Sequence, residues 1–153
     1  MNIDEYQRVV GKIDDIPELK NEFISVYETK SHQDVVGFCL LLGQHLIDLT
    51  GFAAFEEIKA SFEAMKEWID GKVNYHKARN LSFEISRIAR SENDIIKVRF
   101  LRTMAQIAAS PHVKYHGLWA TDFAVTLINR MYPNDMDAVR KEREFHIALL
   151  QRV

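Results

Sequence analysis

Apolar residues recur at helical spacing in every segment of this chain after the first few residues, and nowhere does a strand-like alternation compete with them. Eight helices are expected from that period. The first is a short stripe of Ile3, Tyr6, Val10 and Ile13. The second starts near Pro17, with Asp15 and Glu18 as a cap pair and Leu19, Phe23, Val26 and Tyr27 turned inward. Ser31 with Asp34 opens the third, which runs to Gly51 and buries Val35, Phe38, Cys39, Leu42, Leu46 and Leu49. The fourth, over 52–69, is the clearest amphipath, with Phe55, Ile58, Phe62, Met65 and Ile69 in one stripe and Gly71 as its stop. The remaining four cover 73–90, 93–109, 111–133 and 134–150.

The helix over 111–133 is framed by two prolines. Pro111 suits a first turn, where no N–H is needed, and a helix normally stops before a residue such as Pro133. Ala120, Phe123, Ala124, Leu127, Ile128 and Met131 share one face with His116, while Tyr115, Leu118, Trp119 and Val125 put apolar bulk on the other. A helix that is apolar on two sides belongs near the centre of a domain. Helix starts recur about every 20 residues, close to a helical-solenoid unit, but no residue pattern repeats with them. The expected architecture is therefore all-α, one compact domain over 1–153 made of layered helical hairpins, either an orthogonal bundle or solenoid-like.

Charge narrows the partners. The net charge of −2 disfavours a general nucleic-acid binder, yet the average hides a division. Residues 1–70 carry 14 acidic and 6 basic side chains, whereas 71–153 carry 8 acidic and 14 basic. Either the halves neutralise each other or each shows a partner a surface of its own sign; mutual neutralisation is the simpler expectation. On the helix over 73–90, His76, Arg79, Phe83, Arg87 and Arg90 fall within an arc of about 80°, and Arg99, Arg102 and Gln106 form a polar ridge on the next helix. Such arginines with an aromatic among them hold phosphate or carboxylate groups, or else simply pair with the acidic half.

His112 and His116, four residues apart on a continuous helix, would lie about 40° apart and could chelate a metal. The nearest downstream carboxylate, Asp122, projects about 240° from His116, so a third ligand must come from elsewhere, with His76 the other candidate. The stronger expectation is structural: His116, Trp119 and Arg143 are read as packing side chains. Arg143 interrupts the apolar stripe of the last helix and needs carboxylates or carbonyls around it. No glycine-rich phosphate loop, nucleophile elbow, paired-cysteine zinc site or di-iron bundle signature occurs, so no cofactor is implied. The lone Cys39 excludes an intrachain disulfide. An acidic N-terminus and the lack of a long apolar run point to a cytoplasmic protein that avoids the membrane.

One resemblance adds to this. Trp68 and Gly71, then Lys77, Ala78, Arg79, Ala89 and Arg90, Gln106, the run Pro111 to Gly117 with its two histidines, Ala120, and the closing Glu142-Arg143 resemble the Imm-five-like immunity proteins of bacterial polymorphic toxin systems. The resemblance covers about residues 44–150 and leaves the first 43 unmatched. This chain departs from the usual pattern at Gly117, where alanine is common, and at Phe145 and His146 after the Glu-Arg pair. The resemblance implies a non-enzymatic, all-helical inhibitor that covers the active site of a cognate toxin, with self-association left open. A basic toxin would be met by Asp14, Asp15, Glu18 and Glu22, slightly the preferred surface; an acidic one by Arg79, Arg87, Arg90, Arg99 and Arg102. A helical module holding nucleic acid or a phosphorylated ligand on the same arginines is the alternative, and a metal-dependent hydrolase at His112 and His116 a third reading.

Overall fold

The computed structural model describes residues 9–52 and 55–153, and these form seven helices and no strand: α1 (Pro17–Tyr27), α2 (His32–Thr50), α3 (Glu56–Ile69), α4 (His76–Ser91), α5 (Ile95–Ala108), α6 (His116–Met131) and α7 (Met136–Gln151). The expected eighth helix over 3–13 lies largely outside the described residues. Its described end, 9–13, is not helical.

Local chemistry accounts for most boundaries. Ser31 and Asp34 close a reciprocal capping box on α2, the Ser31 hydroxyl accepting from the Asp34 amide at 3.0 Å and the Asp34 carboxylate from the Ser31 amide at 3.2 Å. Asp94 accepts from the amides of Ile96 and Lys97 to start α5, and Asp135 from Ala138 to start α7. Gly51, at φ +69°, ends α2 in the left-handed conformation. Two expectations need correction. Asp15 does not cap α1 with Glu18; Ile16 is the N-cap, without a side-chain bond, because the Asp15 carboxylate is engaged by Arg143. The other concerns α6, which starts at His116 and not at Pro111. Between them the chain makes tight turns, with the His112 amide bonded to Ala109 O and the His116 amide to Val113 O, both at 3.0 Å, so that Pro111 lies in the turn that follows α5.

Consecutive helices from α3 to α6 pack in pairs, and α1 returns to lie on α7. α2 breaks that sequential order by packing on α3, α5, α6 and α7. A solenoid repeat touches only its neighbours, so the arrangement is a closed bundle. The main core cluster takes buried side chains from all seven helices, among them Phe23, Val35, Phe38, Ile58, Ala78, Phe100, Leu118 and Ile147. A smaller cluster of Ile16, Val125, Ile128 and Val139 joins the start of α1 to α6 and α7.

The crossing of α2 and α6 is set by Gly117. A methyl group there would meet Val35 Cγ1 at 2.4 Å, inside contact distance. Gly117→Ala should therefore destabilise the protein by about 1–3 kcal/mol, read as a lower urea midpoint, and Val35→Ala in the same chain should restore part of that loss.

Candidate functional site

The first turn of α6 places His116 against α5, where its Nδ1–H donates to Gln106 Oε1 at 2.8 Å. Burial, and then the neighbouring His112, lowers its pKa to about 4, so the imidazole is neutral near pH 7. His112, on the preceding turn, stacks its ring between Tyr75 at 4.5 Å and His116 at 6.3 Å, with 28° between the imidazole planes. Tyr75 stacks on His76 at 4.3 Å, and His116 meets the Trp119 ring edge-on at 5.1 Å. These rings form a ladder across the start of α4 and the start of α6. The expected helical pair of histidines is thus replaced by stacked rings, and the supporting ligands do not arrive. His76 sits on the far side of Tyr75, and Asp122 is fully buried against Lys20 and Arg143. Among the described residues, no three of His, Cys, Asp and Glu come together in a way that would hold a metal.

Beside the ladder lies a groove of about 320 Å³, lined by Arg79, Ser82, Phe83 and Ser86 of α4, by Ala105 and Gln106 of α5, and by Ala109, His112 and His116. No acidic side chain lines it. The Arg79 guanidinium rests by the Tyr75 and Phe83 rings, 5.3 and 5.9 Å from their centroids, and its buried Nε has no hydrogen-bond acceptor among the described residues. Further along α5, Arg99 also has a buried Nε without an acceptor. Its pKa is lowered by burial and by the positive charges of Arg130 and Arg102 beside it. Arg87 borders a hollow with Glu57 and Glu84 but reaches neither within ion-pair distance, and Arg90 is exposed. None of these six arginines makes an ion pair with a described residue. The expectation that the basic half is neutralised by the acidic half fails along this ridge. Phe83, 56% exposed, stands within it.

The acids of the first half are used differently. Arg143, with no exposed surface, donates through Nε and Nη2 to both oxygens of Asp15 at 2.9 and 2.7 Å, through Nη2 to Asp122 at 2.8 Å and through Nη1 to Thr121 Oγ1 at 2.9 Å. Lys20, also buried, pairs with Asp122. Asp15 is consequently withdrawn from the surface where it was expected to meet a partner, because an unpaired buried guanidinium is too costly to leave. Asp14, Glu18 and Glu22 do stay exposed, with the Asp14 backbone held by the Asn129 amide through two bonds of 3.0 Å. Lys20 and the trio around Glu142 escaped sequence reasoning. Both His45 and His146 donate from Nε2 to Glu142, the His146 bond at 2.6 Å, and these two imidazoles hold its pKa down to about 2 against the cost of burial. The four-residue spacing of Glu142 and His146 was a readable signal for one arm of that trio; His45, 97 residues away, had none.

Residues 25–153 match the model of a protein family described as Imm-5 like putative immunity protein. The chain belongs to this family. The match begins within α1, well before residue 44, so α2 is part of the family's fold and the unmatched segment is shorter than the sequence suggested. Comparison with curated proteins and with solved structures returns no match. In this immunity-family chain, four of the residues that carried the resemblance, Arg79, Gln106, His112 and His116, line the single groove described above. Glu142 and Arg143 serve the buried polar contacts of α7 instead. The departures after the Glu-Arg pair have local partners: Phe145 packs its ring on His45 at 4.4 Å, and His146 bonds Glu142.

Two outcomes follow from these charges. Replacing Arg143 with leucine leaves Asp15 facing an apolar side chain and should cost about 3–5 kcal/mol in urea denaturation. Acid should unfold the protein in two stages. His116 has a folded pKa below its ordinary 6.5, so the stability it confers is complete above that pH and is lost as pH falls from 6.5 towards about 4; Glu142, depressed from 4.5, adds a loss between 4.5 and about 2. Buried His146, whose pKa is also lowered by desolvation, contributes to the same window, so in a series of urea midpoints against pH His116→Asn should reduce the first stage without abolishing it and leave the second.

Proposed function

We propose that this protein neutralises a cognate toxin by binding it and blocking its active site, without chemistry of its own, and that the ridge on α4 and α5 is the face that docks. The observation that carries this reading is the row of arginines, Arg79, Arg87, Arg90, Arg99 and Arg102 with Arg130, that no carboxylate of the described chain neutralises. Guanidiniums held beside rings and left without acceptors are prepared to receive an acidic surface, and the ordering cost of binding is lowered by the stacking already in place. The withdrawal of Asp15 weakens the opposite choice, an acidic face of Asp14, Glu18 and Glu22 turned to a basic toxin.

The alternative of a module that holds nucleic acid or a phosphorylated ligand draws on the same ridge, where Phe83 and Tyr75 interleave with arginine as base-stacking residues would. The metal-dependent hydrolase reading finds no set of ligands to support it among the described residues.

The test takes the product of the open reading frame adjacent to that of this chain as the candidate toxin, with cell survival and binding both measured. Arg79→Ala combined with Arg90→Ala should weaken binding at least about tenfold and abolish protection, while charge reversal at Asp14, Glu18 and Glu22 should leave both intact. The opposite pattern would mean that the docking face is the acidic one. Protection that never occurs, together with DNA or RNA binding that falls steeply with salt and disappears in the arginine variants, would replace the immunity role by the nucleic-acid one.

A further inference from the structure

At the end of α6 and along α7, three large apolar side chains stand exposed: Tyr132 and Phe145 at 41% and Met136 at 42%. Tyr132 and Phe145 both border a hollow of about 470 Å³. Its apolar lining comes from Leu49, Ile128 and Ala138, which extend the smaller core cluster outward. Its polar lining is strongly one-sided. Asp135, Asp137 and Glu142 contribute three carboxylates, against Lys141 and the imidazole of His45. Of those acids, Glu142 is already bonded by two histidines and Asp135 spends one oxygen on the α7 cap, whereas Asp137 is exposed and makes no ion pair with a described residue. Exposed rings gathered at a concave, acidic surface mark a place where something binds.

We propose that this hollow receives an arginine side chain from a protein partner. Each part of the lining answers a part of that side chain. Leu49, Ile128 and Ala138 meet the aliphatic stem, the Tyr132 and Phe145 rings offer faces to the planar guanidinium, and Asp137 supplies the free carboxylate. An acidic side chain would be repelled by three carboxylates. A purely apolar one would strip their water and return nothing. Lysine fits the stem but lacks the flat group that stacks on a ring. The proposal is independent of the toxin-binding reading, since it rests on other residues and takes the opposite charge.

The free protein can be titrated with N-butylguanidinium and with its uncharged isostere N-butylurea, following the ring resonances of Tyr132 and Phe145 by NMR. Butylguanidinium should give saturable shifts confined to residues around the hollow, and butylurea should bind about tenfold more weakly or worse. Asp137→Asn and Tyr132→Ala, both at exposed positions, should each weaken butylguanidinium about fivefold or more with an unchanged thermal midpoint. Equal binding of the urea would make the hollow a simple apolar site and overturn the proposal. So would shifts that map elsewhere or never saturate. Concentration-dependent self-association in sedimentation, removed by Tyr132→Ala, would give the hollow to a second copy of this chain and overturn the assignment to another protein.

Discussion

A guanidinium with no surface open to water has to be answered from inside the protein, and Arg143 is answered by Asp15 and Asp122 at once. That requirement fixes more than one side chain. Asp15 belongs to the segment leading into α1, Asp122 to α6, Arg143 to α7, and Lys20 on α1 completes the set through Asp122. Four parts of the chain are tied together by charges that would each be expensive to leave alone. Ile16, beside Asp15, then drops into the small cluster with Val125, Ile128 and Val139, and α1 is held down on α7.

This network also decides what the surface looks like. The acidic and basic halves of the chain do meet, at Asp15 with Arg143, Lys20 with Asp122 and His45 with Glu142, but all three meetings lie on the side built from α1, α2, α6 and α7. The arginines of α4 and α5 are left outside that exchange. Their helices pack on α2, α3, α6 and each other, and no described carboxylate comes within ion-pair distance of these arginines. A nearly neutral molecule therefore shows one strongly basic ridge, edged by aromatic rings, and an acidic hollow lined mainly by α7 and the end of α6. The charge that matters for recognition lies in this arrangement and not in the net of −2.

Particular residues show how far the sequence could be read. Ser31 and Asp34, Gly51 and the amphipathic stripe of α3 are local signals, settled within a few residues, and they appear where the period and the caps place them. Arg143 stood out because a charge in an apolar stripe is anomalous by itself. Its partners could not be named, since Asp15 is 128 positions away and also reads well as a cap residue. Pro111 misled for a related reason. It is equally at home in a first helical turn and in the turns that follow α5, and burial against the bundle made the choice.

The helical period, the helix count to within the undescribed N-terminal stretch, the family pattern and the presence of an arginine arc are properties of neighbours along the chain, and the sequence by itself determined them. Tertiary structure alone decided that the two histidines stack as rings from separate turns, that Gly117 lets α2 approach α6, and which charges are spent inside. Those outcomes depend on desolvation and close contact between residues far apart in the chain. No local pattern carries a record of either.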